Sequence, residues 1–423
     1  MNRKEQALRS VFGAVLIGRL LYPFFNSPLD HLFSDPLRHW ENAKHFLHPT
    51  ITGSSDPYLY QLWLFLAQQA SGDSGPWLQL HNGLLCAVMP YGWYRALREL
   101  LPRDYALSGA IIIGLTPSLI GIYGYFMTET LLLCLMGFAS WSTLRARRKR
   151  TTSSTLLAIA AWTAVGFTRV AIWPVAAICI TWGILLLAKP WRAAMGGVCI
   201  ISVLAIPASL HAHAQLGFYS PFGNLYLHEI YRHSGNKTID LDFGPHGHYS
   251  FGSPSYFNAT FYPFSDWTTA RKGTVAVDID THRGRTDWLA QDASSTEHRQ
   301  FSKWTDFLEN AAYVSWGQSW PDNDRTSIVG WASVWTRWFW MPLLLTVLAG
   351  LVFGRLQGDD FLLSLCALSM YLFLILQQQG ITEGRFRKPL EPFLLAAAIV
   401  LIYRLRIDRR SIAPPTWPPK PMM

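Results

Sequence analysis

The sequence predicts an all-α polytopic membrane protein of about ten transmembrane helices, with interfacial helices in its first outer loop and a small outer domain. Three observations carry this. Half of the 423 residues are hydrophobic (50%) and only 15% are charged, against ~25% in soluble domains. The apolar residues gather in stretches near the ~20 residues that a spanning helix needs. The 19 Trp and 17 Tyr supply the aromatic groups that collect at bilayer interfaces.

The candidate spans are 8–25, 77–97, 105–123, 128–145, 154–169, 171–188, 194–212, 330–354, 360–378 and 389–405. Basic clusters set their sidedness, because Lys and Arg concentrate in cytoplasmic loops. Arg3, Lys4 and Arg9 precede the first span. Arg145, Arg147, Arg148, Lys149 and Arg150 follow the fourth, and Arg404, Arg406, Arg409 and Arg410 follow the last. The stretch Thr155–Ala188 is too long for one ordinary span and has basic clusters beyond both ends, the second at Lys189 and Arg192. It must cross twice, turning near Arg169 and Pro174. Both termini then face the cytoplasm. The basic start has no small-residue cleavage site after it and reads as an uncleaved first span.

The chain thus divides into an N-terminal membrane module (1–212), an outer loop domain (213–329), a C-terminal membrane module (330–410) and a Pro-rich tail (411–423) expected to be disordered. The net charge of +9 is a topology signal, and no basic patch on a soluble surface calls for nucleic acid. All 5 cysteines fall in apolar segments, without a disulfide framework or zinc spacing. That fits a bacterial inner membrane, with the outer features facing the periplasm.

Chemistry is expected on the outer face. In the first outer loop (26–76), Pro28, Pro36 and Pro57 each follow a Ser or Asp and open a short apolar pattern. That is the signature of a capped helix start. Tyr58–Leu66 gives about two turns, too short to span, so two helices should lie along the interface. Asp35 is the candidate general base, with Arg38 and His39 on its face at helical spacing. Capping is the competing role for Asp35, the preferred one for Asp56, and Asp30 is a decoy for the catalytic acid. Glu129 opens the fourth span, where an acid also suits a helix N-terminus. Arg169 sits at a turn between apolar halves, where an Arg faces a cavity or partner or snorkels.

The loop 379–389 carries Glu383, Arg385, Arg387 and Lys388. Cations there break the positive-inside bias. A phosphate at the outer face would require them, since Arg offers N–H donors in a fork. Lys388 adds a point charge and Glu383 orients an Arg; a lipid-anchoring rim is the plainer role. In the long loop, Asp240, Asp242, His246 and His248 are metal-ligand types, but their Gly/Pro turn fixes no geometry. No cofactor is required, and a divalent metal stays a minor option. The aromatic residues over 249–267 suit sugar stacking or ordinary packing.

In this order and sidedness the motifs resemble the GT-C glycosyltransferases, multi-span enzymes that use polyprenyl-phosphate-linked sugars. These include protein O-mannosyltransferases and lipid A aminoarabinose transferases. Phe33-Ser34-Asp35-Pro36 is similar to the family's catalytic first loop, Glu129 to its acid at the fourth span, and Gly166-Phe167-Thr168-Arg169-Val170 to its Thr-Arg turn. Glu383 through Pro392 is similar to its late acid–Arg–Pro loop. The chain departs from the family in lacking an acidic pair at Asp35 and in its long loop, which matches nothing in it.

The resemblance implies inverting transfer from a polyprenyl-phosphate sugar to a hydroxyl on a protein such as a pilin, a glycan or a lipid. Asp35 would take the acceptor proton, and Arg385, Arg387, Lys388 and Arg169 would grip the donor phosphate. Glu129, Glu383, Arg38 and His39 would support them. Two alternatives remain open: a transporter or flippase of lipid-linked sugar, and an O-antigen ligase or polymerase using a lipid-diphosphate donor.

Overall fold

The computed structural model describes residues 3–32, 34–49, 56–72, 74–185, 187, 189–216, 219–222, 239–242, 248–251, 275–278, 308, 311, 328–377 and 387–412. Its helices are α1 (Arg3–Phe25), α2 (Ser34–Lys44), α3 (Tyr58–Ser71), α4 (Gly75–Leu100), α5 (Arg103–Leu115), α6 (Ser118–Gly121), α7 (Thr128–Lys149), α8 (Thr152–Thr168), α9 (Trp173–Leu185), α10 (Pro190–Leu216), α11 (Ile328–Thr336), α12 (Trp340–Val352), α13 (Asp359–Gln377) and α14 (Glu391–Ile412). A three-stranded sheet departs from the all-α expectation. It has β1 (Ile239–Asp242) central, antiparallel to β2 (His248–Phe251) and parallel to β3 (Val275–Asp278). Its register sets Asp242 opposite His248. Most of 213–329, His246 included, and the tail beyond residue 412 lie outside the described residues.

Among the described residues, three helices are long and apolar enough to cross a membrane: Arg3–Phe25, Pro190–Gln215 and Ile328–Val352. The bent pair Arg103–Leu115 and Ser118–Gly124, at 66°, makes a fourth if it is one span. On α10, Met195, Val198, Val203, Ile206 and Leu210 are all more than half exposed. Such an outward apolar stripe suits hydrocarbon, not water. α4 and α7 have 26 and 22 residues but are less uniformly apolar, because they form the centre of the bundle. α7 is buried along most of its length. Its Ser140, Ser142 and Thr143 hydroxyls donate to carbonyls of their own helix, so polar side chains enter the core already satisfied.

The α4–α7 crossing depends on absent side chains. A Cβ on Gly137 would lie 3.0 Å from the backbone of Gly92 and of Trp93, the close approach that small residues give packed helices. The expected turn at Arg169 is present. α8 ends at Thr168, Arg169 is extended, and a 3-10 turn over Val170–Ile172 leads into α9. α9 folds back on α8, and a Cβ on Gly166 would strike the Trp173 indole at 2.5 Å.

Ion pairs gather helix ends into one pole. Lys4 meets Asp104, Arg103 meets Glu5, Arg148 meets Glu99, Arg147 meets Asp359 and Arg404 meets Asp360. These are the starts of α1, α5 and α13 and the ends of α4, α7 and α14. At the other pole lie the end of α1, the starts of α4, α7 and α14, and helices α2 and α3. The helices therefore alternate in direction, with the basic clusters at one pole and the candidate residues at the other.

Substituting Gly137→Leu should lower stability by about 1–3 kcal/mol, read as the thermal midpoint in detergent. Gly18→Leu should leave it near wild type, because a Cβ on Gly18 meets nothing within 4 Å.

Candidate functional site

The second pole is built around the irregular segment between α5 and α7. Pro117 interrupts the helix after Leu115, and the carbonyls exposed by the break need donors. Arg19, buried at 2% exposure in α1, supplies them. Its Nη1 donates to Gly114 O and its Nη2 to Leu119 O, both at 2.8 Å, while Nε donates to Cys86 O at 2.6 Å. Past the break, Asn82 Nδ2 donates to Tyr123 O and Tyr125 O at 3.1 and 3.2 Å. His31 Nδ1 donates to Gly124 O at 2.9 Å. Phe126 stacks on Trp40 of α2, with ring centroids 5.0 Å apart. The segment thus fixes both the stretch from His31 to Trp40 and the start of α7.

The first cluster joins α2 and α3. Asp35 lies in the first turn of α2 and accepts from Arg38 Nη1 at 2.7 Å; its side chain is 16% exposed. The same guanidinium donates through Nε to Asp56 Oδ1 at 2.9 Å. Asn42 Nδ2 donates to Asp56 Oδ2 at 2.7 Å. His39 Nδ1 lies 2.9 Å from Asp56 Oδ1 but out of line for a hydrogen bond, so it acts by proximity.

The expected capping role of Asp56 is therefore corrected. Pro57 occupies the N-cap of α3 without a side-chain cap bond, while the Asp56 carboxylate, fully buried, turns back to α2. Burial opposes its ionisation, yet Arg38, His39 and Asn42 outweigh burial and hold the carboxyl below its ordinary 3.8. His39 serves Asp56, not the face of Asp35 to which helical spacing assigned it. Asp30 is exposed on a 3-10 turn over Pro28–His31.

The second cluster pairs residues 40 apart in sequence. Glu129, in the first turn of α7 and 1% exposed, forms an ion pair with Arg169 Nη1 at the end of α8. Thr128 Oγ1 donates to its other oxygen at 3.0 Å. Tyr60 of α3 links the clusters. Its ring meets His39 edge-on at 5.1 Å. Burial first, then the Glu129 and Asp56 carboxylates, push its phenol well above 10, against a hydrogen bond with Thr130. It therefore stays protonated beside both acids.

The third cluster anchors α14. Arg387 and Lys388 are 2% and 0% exposed. Arg387 Nε donates to Glu391 Oε1 at 2.9 Å, and Lys388 Nζ to Ser118 O at 2.9 Å. Ser118 Oγ donates to Glu391 Oε2 at 2.5 Å. These two cations are internal fasteners rather than groups presented at a rim. Glu383 and Arg385 lie outside the described residues. Among the described residues, no three His, Cys, Asp or Glu side chains gather to hold a metal ion.

The structure brings Asp35, Arg38, His39, Glu129 and Arg169 to one pole. It adds Tyr60 and Arg19, which sequence reasoning passed over, and Asp56, which it assigned to capping. For Arg19 a signal existed, an Arg inside an otherwise apolar run. No protein-family model matches this chain, and no curated protein matches it.

Because the folded value of Asp56 lies below 3.8, its contribution is complete above roughly pH 5 and fades as pH falls through the folded value. Asp56→Asn should therefore show a shallower loss of thermal midpoint between about pH 5 and 3 than wild type. At neutral pH, Asp56→Ala should cost about 1–3 kcal/mol, since it takes the acceptor from buried Asn42 and from Arg38 Nε. Asp30→Ala should cost close to none.

Proposed function

We propose that the chain is a GT-C-type inverting glycosyltransferase, spanning a membrane about ten times. It transfers a sugar from a polyprenyl-phosphate donor to a hydroxyl acceptor at the outer, periplasmic face. The carrying observation is the Asp35–Arg38–Asp56 arrangement. One carboxylate is partly open to the surface, and the guanidinium that orients it is braced from beneath by a fully buried second carboxylate.

In the transfer, the acceptor oxygen attacks the anomeric carbon and its proton passes to Asp35. The bond from that carbon to the donor phosphate oxygen breaks, and the lipid phosphate leaves with the electron pair. The negative charge that grows on the phosphate is what the cations must stabilise. Arg169 is the described candidate, held by Glu129. Arg385, two residues before Arg387 in sequence, is the other. Arg387 and Lys388 contribute by fixing the base of that loop. No cofactor has a step here. A lipid monophosphate donor, rather than a diphosphate, separates this reading from a ligase or polymerase.

One observation favours the transporter reading: the bent pair α5–α6, since broken helices mark transport sites. The break is filled, however. Arg19 takes its carbonyls, and Ser118 is bound to Glu391 and Lys388.

Asp35→Asn should leave expression, thermal midpoint and donor binding near wild type, and reduce turnover ~100- to 10,000-fold, assayed with a purified polyprenyl-phosphate sugar and acceptor. Asp30→Asn should retain activity. Near-normal turnover by Asp35→Asn would move the search for the base to Glu129. Arg385→Ala should weaken donor use, and Arg385→Lys should restore it only in part, because the fork is lost. Unchanged kinetics in Arg385→Ala would leave that loop a membrane anchor.

A further inference from the structure

A second feature lies at the basic pole and is independent of glycosyl transfer. An open groove of about 520 Å³ runs along α9, lined by Ala177, Ile178, Thr181, Trp182 and Leu185. At its side the Arg147 guanidinium lies over the Trp182 ring, 4.7 Å from the centroid. Arg147 Nε is held by Asp359 Oδ1 at 2.5 Å, but its Nη1 is buried and, among the described residues, has no hydrogen-bond partner. A buried guanidinium N–H left unmade costs more than a neutral donor, so this nitrogen marks a place for an acceptor. Close to it in sequence the chain supplies cations: Arg148, Lys149 and Arg150 follow directly, and Lys189 and Arg192 come just after Leu185.

We propose that the α9 groove and Arg147 together bind an anionic phospholipid, one acyl chain along Ala177, Ile178, Thr181 and Leu185 and the phosphate on Arg147. The lining selects a chain: its side chains are apolar except for the Thr181 hydroxyl and the Trp182 indole nitrogen. The unpartnered N–H selects a phosphate oxygen, and the cations close to it in sequence select against a headgroup that carries its own ammonium. A soluble phosphate would leave the groove empty. The site also joins three helices, because Arg147 closes α7, Asp359 opens α13, and α9 packs on α13 where Cys179 and Cys366 Sγ atoms lie 3.5 Å apart. The phosphate would therefore join Asp359 on Arg147 at that junction, through a different nitrogen.

The test is lipid retention by the purified protein in mild detergent, read by native mass spectrometry and thermal midpoint. The probes are phosphatidylglycerol, phosphatidylcholine of matched chains, and glycerol 3-phosphate. One cation near a membrane surface corresponds to roughly a fivefold preference, so phosphatidylglycerol should be retained at least that much over phosphatidylcholine and should raise the midpoint. Glycerol 3-phosphate should do neither. Arg147→Gln should abolish the preference, and Arg148→Gln, at an exposed side chain, should keep most of it. Because Arg147→Gln also breaks the pair with Asp359, Ala177→Trp provides a second variant that fills the groove and spares Arg147; it too should lose the preference. Equal retention of the two lipids, full preference in either Arg147→Gln or Ala177→Trp, or an equal effect from glycerol 3-phosphate would each overturn the site.

Discussion

The helix break at Thr116–Pro117, stabilised by a single buried guanidinium, is the constraint on which the pole of candidate residues depends. Pro117 cannot donate to the preceding turn, and the neighbours of α5 are apolar helices that offer the freed carbonyls nothing. An unsatisfied buried carbonyl costs on the order of 1–3 kcal/mol. Arg19 places donors in one plane, reaching Gly114 O, Leu119 O and Cys86 O from a helix that is otherwise hydrophobic. It thereby ties α1, α4 and the two halves of the bent pair. Everything downstream to Glu129 inherits its position from that tie: Ser118 faces Glu391, Gly124 O meets His31, and Phe126 stacks on Trp40.

Around this frame the acids are arranged in pairs with their own cations. Asp56 has Arg38, Glu129 has Arg169 and Glu391 has Arg387. Pairs this deep do not earn their place by stability, since desolvation offsets most of the attraction. They fix geometry instead, because breaking any one strands a buried charge. Tyr60 fits the same logic. Set between two carboxylates, it can remain only as a neutral phenol, so it separates the two clusters without adding charge to either.

How much of this was legible in the sequence follows from the range of each interaction. Most helix positions, the turn at Arg169 and the short helices at Pro36 and Pro57 are written in local periodicity and capping residues; the break at Thr116–Pro117 inside the expected span 105–123 was not foreseen. The pairing of Glu129 with Arg169 was not, although each was singled out on its own, because nothing local joins residues 40 positions apart. Asp56 was misassigned for a related reason. Asp before Pro before an apolar helix satisfies the capping rule as well as Asp35 does, and only the packing of α3 against α2 reveals that its partners are Arg38, His39 and Asn42. The charge bias drew attention to the Arg387–Lys388 stretch. It carried no information on burial, which arises from Ser118 and Glu391 closing over those cations.

The asymmetry between Asp35 and Asp56 bears on which acid can do chemistry. Both use Arg38, but through different nitrogens: Nε to the buried acid and Nη1 to the partly open one. An adjacent cation favours the ionised form of a carboxylate and so weakens it as a base. Were Arg38 committed to Asp35 alone, its charge would fall on Asp35 undivided, with the side chain free to swing. Asp56 takes part of that charge and locks the guanidinium plane, so Arg38 orients Asp35 through Nη1 while the Asp35 side chain keeps contact with the surface. In the proposed transfer the buried acid cannot exchange roles with it: with no exposure, and with Arg38, Asn42 and His39 closed around it, it would have no route to an acceptor hydroxyl. The division of labour is set by burial, between two Asp-Pro dipeptides that read alike in sequence.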